Sequence, residues 1–371
     1  MPNYVDVHIG TIDAAIQRSG KDKGYLFNRY SFLRKLFEDN KNPTLKQLED
    51  LAKALYVPFG YLLLDELPPM GSKNVSYRKI TKESSTVSPN LYDLINIISR
   101  QQDWVSDFIK DHIGIKCPLF NIADSYPDMD VLVSYVRDVL QVPKHWQKDI
   151  DRTDPLKYFV DKLGNMNIFV SRSGVVGSNT HRKVTREMCR GFTLNDEYAP
   201  FIFINSNDYD NAKLFTLAHE LAHVILGSNN LYNKELFNSE TEEERFCDNF
   251  AGKFLLDSEV FKEFYDNDFY STAKKLKVSP LVVAARAYNL ELISDSQYWA
   301  FYNSNRQDFD PKVNESSGGN HYMSTKARLN SRFIQMVDSA LKSNTILHTD
   351  AYSLTGTKGK NYDELIGRVL G

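Results

Sequence analysis

The sequence contains few cysteines and no long apolar run. Its three cysteines, Cys117, Cys189 and Cys247, are widely spaced and odd in number, so they do not form a disulfide framework. We therefore expect a reducing compartment, the cytoplasm. The longest apolar stretches fall far short of the ~20 residues that a membrane-spanning helix needs, and the N-terminus lacks the pattern of a secretory signal. No membrane partner is expected.

A large excess of charge of one sign is also absent. The 45 Lys and Arg residues and the 48 Asp and Glu residues give a net charge of −3, which argues against a surface that binds nucleic acid or anionic lipid over its whole extent. The composition that is present, 42% hydrophobic and 25% charged residues, is typical of globular proteins and excludes a disordered or collagen-like chain. A chain of this length is expected to form about two or three domains.

The residue pattern predicts an α+β fold that is mainly helical with a small sheet. Runs rich in Phe and Ile predict strands at 167–171, 191–194 and 200–205. Apolar residues at helical spacing predict helices at 11–18, 30–38, 45–54, 88–113, 128–140, 155–163, 211–226, 240–256, 258–275 and 280–289. We predict an N-terminal helical domain at 1–70, a linker at 71–90, a helical connector at 91–150, an α+β domain at 151–300, a linker at 301–320 and a C-terminal helical segment at 321–371.

One predicted helix, residues 212–227, is apolar on all sides yet contains three ionisable residues. A helix of this kind is buried, and a buried carboxylate without a partner is costly. His219 and His223 are four residues apart, so both imidazoles leave one face of the helix, one turn apart, within reach of one metal ion. Glu220 points beside that ion. This H-E-x-x-H arrangement is typical of zinc peptidases.

The next predicted helix is expected to supply the third metal ligand. Glu244 and Asp248 are four residues apart and share a face of that helix. We assign Glu244 as the ligand and Asp248 as the acceptor for the N–H of a ligand histidine, which fixes the histidine tautomer. Helical phase leaves Glu243 open as the ligand, and Glu240 is a weaker candidate.

Two histidines and one carboxylate suit a catalytic zinc with one open coordination position, although such sites also accept manganese or iron. Zinc would polarise the substrate carbonyl and lower the pKa of a bound water to about 7. Glu220, the catalytic residue, would take the water proton as general base and pass it to the leaving amine. The strand at 200–205 is the candidate sheet edge for an extended peptide. Cys189 is expected to be a plain structural or exposed thiol, with a removable fourth ligand as the less favoured alternative, and Cys247 is expected in the core.

Three segments of the sequence are similar to those of one known family. The segment FTLAHELAHVILG (215–227) is similar to its zinc helix, and EERFCDNFAGKFLL (243–256) to its third-ligand helix, where the family's ligand falls on Glu244. The segment at 42–69 is similar to the end of an XRE-type helix-turn-helix domain. The chain thus resembles an ImmA/IrrE-family zinc metallo-endopeptidase with an N-terminal XRE-type domain. The resemblance implies thermolysin-like (gluzincin-like) ligation and a substrate that is a repressor or a toxin–antitoxin or phage-type partner.

The N-terminal domain is a candidate DNA-binding domain with an unusual charge balance. Residues 1–70 contain nine Lys and Arg and nine Asp and Glu, whereas a DNA-binding domain is normally basic, and residues 21–30 are a poor second helix. Arg29, Arg34 and Lys35 are the candidate DNA contacts, through phosphates. The alternative is that this helical face contacts a protein or a second copy of the chain, as a homodimer.

Two functions are therefore predicted. The first is a zinc-dependent regulatory endopeptidase that hydrolyses a peptide bond in a specific protein, a repressor or an operon partner. The second is a DNA-binding transcriptional regulator or antitoxin whose metal site is structural or vestigial. A function that survives Glu220→Gln but not Arg34→Ala with Lys35→Ala would favour the second.

Overall fold

A computed structural model of the protein shows mainly helices with a four-stranded sheet and a two-stranded sheet, which confirms the predicted α+β class. Its chain divides into two compact units, Met1–Ser72 with Ser84–Asp93 and Lys73–Glu83 with Leu94–Gly371. The structure describes residues 3–19, 21–55, 57–68, 76–78, 88–150, 154–227, 242–308 and 321–370. Within these ranges, every helix is too short or too polar to cross a membrane.

The first unit is built from short helices around a leucine-rich core. Its helices are α1 (Ile9–Ser19), α2 (Lys23–Arg29), α3 (Phe32–Asp39) and α4 (Leu45–Leu55), followed by a 3-10 turn at Phe59–Leu63. Helix α2 forms where the sequence predicted a poor helix. It does so because the Asp22 side chain accepts a hydrogen bond from the Tyr25 backbone N–H at the start of the helix, and because Leu26 is buried in the core.

The remaining helices follow in the sequence after residue 88. They are α5 (Pro89–His112), α6 (Met129–Leu140), α7 (Trp146–Asp149), α8 (Pro155–Gly164), α9 (Asp210–Leu226), α10 (Glu242–Leu255), α11 (Ser258–Phe264), α12 (Phe269–Leu276), α13 (Pro280–Asn289), α14 (Asp295–Asp308), α15 (His321–Leu329), α16 (Ser331–Lys342), α17 (His348–Thr355) and α18 (Lys360–Leu370), with a 3-10 turn at Ala123–Ser125.

The predictions for two of these regions differ from the structure. The single helix predicted at 258–275 is two helices, because Asn267 has a left-handed backbone with φ of 63° and Asp268 starts α12 by accepting hydrogen bonds from the N–H groups of Tyr270 and Ser271. Helix α14 continues to Asp308, so residues 301–308 are helical, whereas the role of 301–320 as a linker between domains stays a prediction.

The four-stranded sheet has the order β1-β5-β6-β2. The strands are β1 (Ser76–Arg78), β2 (Phe169–Ser173), β3 (Val175–Val176), β4 (Asn179–Lys183), β5 (Gly191–Leu194) and β6 (Phe201–Asn205). Strand β5 pairs antiparallel with β1 and β6, β2 pairs parallel with β6, and β3 and β4 form a separate hairpin. The prediction that the strand at 200–205 offers an open edge is therefore wrong, since β6 has a neighbour on each side.

Helix α9 lies between this sheet and α10. It contacts β5 and β6 on one side and α10 on the other, which explains why it is apolar all round. Phe250 and Phe254 of α10 are buried and stack with ring centroids 5.5 Å apart. Gly227 ends α9 with φ of 60°, and its N–H donates to the carbonyls of His223 and Val224. The histidine-bearing turns are thus held on two sides by packed elements.

Candidate functional site

Helix α9 brings His219, Glu220 and His223 together at its buried surface. Their exposed fractions are 1%, 0% and 2%, and the two imidazole centroids are 5.1 Å apart. Three ionisable side chains in one buried place, on neighbouring turns, require partners from the elements packed against α9.

Glu244 of α10 faces both imidazoles through their Nε2 atoms. Its Oε2 lies 3.2 Å from His219 Nε2, and its Oε1 lies 3.6 Å from His223 Nε2. Two nitrogens and a carboxylate on adjacent helices thus point at a common volume. These donors are the ones that Zn²⁺ prefers in proteins.

The opposite ring nitrogens face two further carboxylates of α10. His219 Nδ1 lies 2.9 Å from Asp248 Oδ1, and His223 Nδ1 lies 3.3 Å from Glu243 Oε1. When each Nδ1–H donates to its carboxylate, each Nε2 keeps its lone pair for a metal ion. Asp248 thus lies beside a histidine Nδ1, and its role in fixing the tautomer stays a prediction. Glu243, which helical phase left open as a ligand, also faces an Nδ1 atom. Glu240 lies outside the described residues.

Among the described residues, a hydrogen-bond partner holds one of the two carboxylate oxygens of Glu220. Its Oε2 lies 2.8 Å from the Thr193 hydroxyl, which is also 3.0 Å from the Glu220 carbonyl oxygen. Its Oε1 is buried and accepts no hydrogen bond from any described residue. Burial raises the pKa of Glu220, and the charge of Glu244 adds to the increase, while His223, His219 and the hydrogen bond from Thr193 oppose it.

Thr193 was missed by the sequence reasoning. Its signal was weak but present, because Thr193 is the one hydroxyl residue in the predicted buried strand at 191–194. A buried hydroxyl needs a hydrogen-bond partner, and in the structure the Thr193 hydroxyl finds it in Glu220 of α9.

Two cysteines lie near this cluster. Cys247 is fully buried in the core, as predicted, and its Sγ lies 3.6 Å from His223 Nδ1. The donor atoms of His219, His223 and Cys247 all lie within 4.8 Å of one another, which makes this trio an alternative metal set. As a candidate third ligand, Glu244 fits better than Cys247. The Cys247 Sγ lies on the Nδ1 side of His223, and burial raises the pKa of its thiol, which disfavours the ligating thiolate. The Cys189 thiol donates to the Gly191 carbonyl at 3.0 Å.

Gly191 allows β5 to approach α9 closely. A Cβ at this position would lie 2.7 Å from Thr216 Cγ2, 3.0 Å from the Phe203 carbonyl oxygen and 3.2 Å from Glu220 Cγ. We therefore expect Gly191→Ala to destabilise the protein by about 1–3 kcal/mol, measured by denaturant unfolding followed by circular dichroism. Gly252→Ala is the matched control, because a Cβ there would meet nothing within 4 Å, and alanine in a helix should stabilise by about 0.5–1 kcal/mol. Equal stability of the two variants would contradict this account of β5.

The candidate DNA contacts lie in the first unit. Arg29 ends α2, and Arg34 and Lys35 lie on α3; all three are exposed. Arg29 donates to the Tyr25 hydroxyl and Arg34 to Asn28 Oδ1, so both guanidinium groups are positioned by neighbours of the same unit. Contact of these residues with DNA stays a prediction.

Two parts of the chain match models of known protein families. Residues 329–368 match the family model of a domain of unknown function (DUF8813), and neither match includes residues 1–70, so the helix-turn-helix assignment stays a prediction. No curated protein and no solved structure is significantly similar to the chain. Residues 175–288 match the model of the IrrE N-terminal-like domain of the peptidase M78 family. This range contains both histidines, Glu220 and the three carboxylates of α10. The match supports a metallopeptidase of the ImmA/IrrE type in this part of the chain.

Proposed function

We propose that the protein is a zinc-dependent regulatory endopeptidase that hydrolyses a peptide bond in a specific protein. One observation carries the proposal. The Nε2 atoms of His219 and His223 face the Glu244 carboxylate, while both Nδ1 atoms face other carboxylates, beside a buried Glu220. The match of residues 175–288 to the IrrE N-terminal-like domain supports a peptidase of this type. The proposed substrate class, a repressor or an operon partner, is the one that the family resemblance implies.

The residues around this volume fit a divalent cation. His219, His223 and Glu244 would hold it, and Glu220, Glu243 and Asp248 add carboxylates within the same cluster. Carboxylates gathered around two imidazoles repel one another unless a cation or protons compensate their charge. Zinc bound there supplies Lewis acidity, which polarises a substrate carbonyl and makes water more acidic.

Glu220 is arranged to carry a proton. Because Thr193 holds Oε2, Oε1 is left to accept a proton from the attacking water and to return it to the leaving amine. The raised pKa of this carboxyl brings it nearer to neutral pH, where a group that must both gain and lose a proton works best. Thr193 thus acts as a positioning residue, since it fixes the orientation of the carboxylate without touching the reacting atoms.

The proposal is tested on the full chain by metal analysis and cleavage. We expect about one zinc per chain, as for a single site with three protein ligands. We expect new N-termini in a helix-turn-helix repressor incubated with the zinc-loaded protein, measured by mass spectrometry, and their loss after chelation with recovery on adding one equivalent of zinc. A folded chain that binds no divalent metal, or cleavage that is unaffected by chelation, would overturn the proposal.

A further inference from the structure

Both edges of β5 are occupied by strands of this chain. Strand β6 pairs along one edge, and β1 pairs antiparallel along the other with the partners Ser76–Thr193, Tyr77–Phe192 and Arg78–Gly191. Within the described part of the chain, the other strands of this sheet come from residues 169–205. Strand β1 instead comes from the segment between 71 and 90, which the sequence marks as a linker. Residues 76–78 of this predicted linker therefore contribute a strand to the sheet that packs against α9.

Strand β5 is the part of the sheet that lies against Glu220. The Thr193 hydroxyl lies 2.8 Å from Glu220 Oε2, and a Cβ on Gly191 would lie 3.2 Å from Glu220 Cγ. The backbone of β5 thus runs in contact with the turn of α9 that carries the proposed general base. The opposite edge of the sheet is β2, which is separated from β5 by β6.

A peptide to be hydrolysed must present its backbone to Glu220. An extended peptide that adds to a sheet edge does this with main-chain hydrogen bonds and needs no particular sequence for them. Strand β5 contacts Glu220, and each strand offers only two edges, of which β6 occupies one. A substrate strand and β1 therefore compete for the same hydrogen-bonding groups of β5.

We propose that residues 76–78 occupy the substrate-binding edge of β5 as an internal strand and hold the peptidase latent until an extended segment of the protein substrate displaces them. This inference rests on the proposed function. Among the described residues, β1 pairs with β5 at three positions, and a strand with more pairs can replace it. The tether of β1 to the same chain gives it a high effective concentration against weak or short peptides. The substrate segment is then an extended linker or terminus of its protein, since it must lie along the full edge of β5 without the rest of its fold in the way.

The experiment compares proline with valine at position 77 in the full-length, zinc-loaded chain. Proline lacks the backbone N–H and fixes φ, so it disrupts a strand, whereas Tyr77→Val keeps the N–H and a strand-forming residue. Hydrogen-bonded and non-bonded pairs alternate along antiparallel strands. Either residue 77, or residues 76 and 78, therefore make the hydrogen bonds to β5. A second variant, Ser76→Pro with Arg78→Pro, covers the case that Tyr77→Pro does not, so one of the two proline variants removes these bonds.

Two readouts are independent of hydrolysis. The first is hydrogen–deuterium exchange of the amides of 191–194, which we expect to speed up in the effective proline variant and to slow again when a synthetic peptide of residues 73–83 (KNVSYRKITKE) is added. The second is fluorescence anisotropy of that peptide, labelled, with each variant in a Glu220→Gln background. We expect about tenfold tighter binding to the proline variant than to Tyr77→Val, because removal of an internal competitor raises the fraction of competent molecules.

Hydrolysis of casein is the third readout, and we expect it to rise by about tenfold in the proline variant for the same reason. The inference would be overturned if both proline variants showed the same exchange of the 191–194 amides and the same peptide affinity as Tyr77→Val. If casein hydrolysis is abolished by Glu220→Gln yet equal in the proline and valine variants, the proposal that residues 76–78 hold the peptidase latent is wrong and the peptidase proposal stands. If peptide binding rises but no variant hydrolyses any protein, strand exchange is supported and the peptidase proposal is wrong.

Discussion

Glutamine in place of Glu220 is expected to slow peptide hydrolysis by about 10²–10⁴-fold, the range that general acid–base catalysis supplies, while zinc stays bound. The amide has nearly the shape of the carboxylate but cannot accept the proton that Oε1 takes in the proposed reaction. The zinc ligands should be unaffected, because the side chains that converge on one volume are His219, His223 and Glu244. Cleavage rate and zinc content of the same sample are the measurements.

Glu242→Gln is the control for this substitution. It makes the same chemical change at an exposed position at the start of α10, so rate and zinc content should equal those of the wild type. The metal-free Glu220→Gln chain should be at least as stable to heat as the wild type, because burial raises the pKa of Glu220 and so penalises its charged form. Hydrolysis at the wild-type rate with zinc bound would exclude Glu220 as the base, and a regulatory function that persists without hydrolysis would favour the DNA-binding alternative.

Local sequence pattern was sufficient to predict the core of the candidate site. The spacing of His219 and His223 determines a common helix face, and that face is buried because the whole helix is apolar. The strand at 191–194 has the predicted bounds, since its Phe and Leu lie between turn residues. These features depend on neighbours within about one turn or one strand, which is the range over which sequence periodicity carries information.

Non-local pairing could not be predicted in the same way. The sequence predicted 200–205 as the open edge because its Phe and Ile pattern marks a strand, but a pattern of this kind does not say which strands lie beside it. Nothing in the linker sequence at 71–90 predicts that residues 76–78 pair with β5, since a three-residue strand has no periodicity to detect. The partner of each histidine Nδ1 likewise depends on how α9 and α10 pack, which helical phase alone left open between Glu243 and Glu244.

The two glutamates give the second large prediction, on metal affinity. Glu244→Ala should weaken zinc binding far more than Glu243→Ala, although the residues are adjacent on α10. Glu244 faces the Nε2 atoms of both histidines, whereas Glu243 Oε1 faces only His223 Nδ1. Loss of a hydrogen-bond partner of a metal-ligating histidine weakens metal binding by about 10–100-fold. We expect a loss of zinc affinity in that range for Glu243→Ala and a considerably larger loss for Glu244→Ala.

Competition with a chromophoric zinc chelator measures both affinities, and far-UV circular dichroism shows whether each variant keeps its helices. Cys247→Ala decides between the two candidate ligand sets. If Glu244 is the third ligand, this substitution leaves zinc affinity close to that of the wild type, because the thiol lies on the Nδ1 side of His223 and its raised pKa keeps it protonated. If instead Cys247→Ala and Glu243→Ala abolish zinc binding while Glu244→Ala retains it, the metal binds on the Nδ1 side and the assignment of Glu244 is wrong.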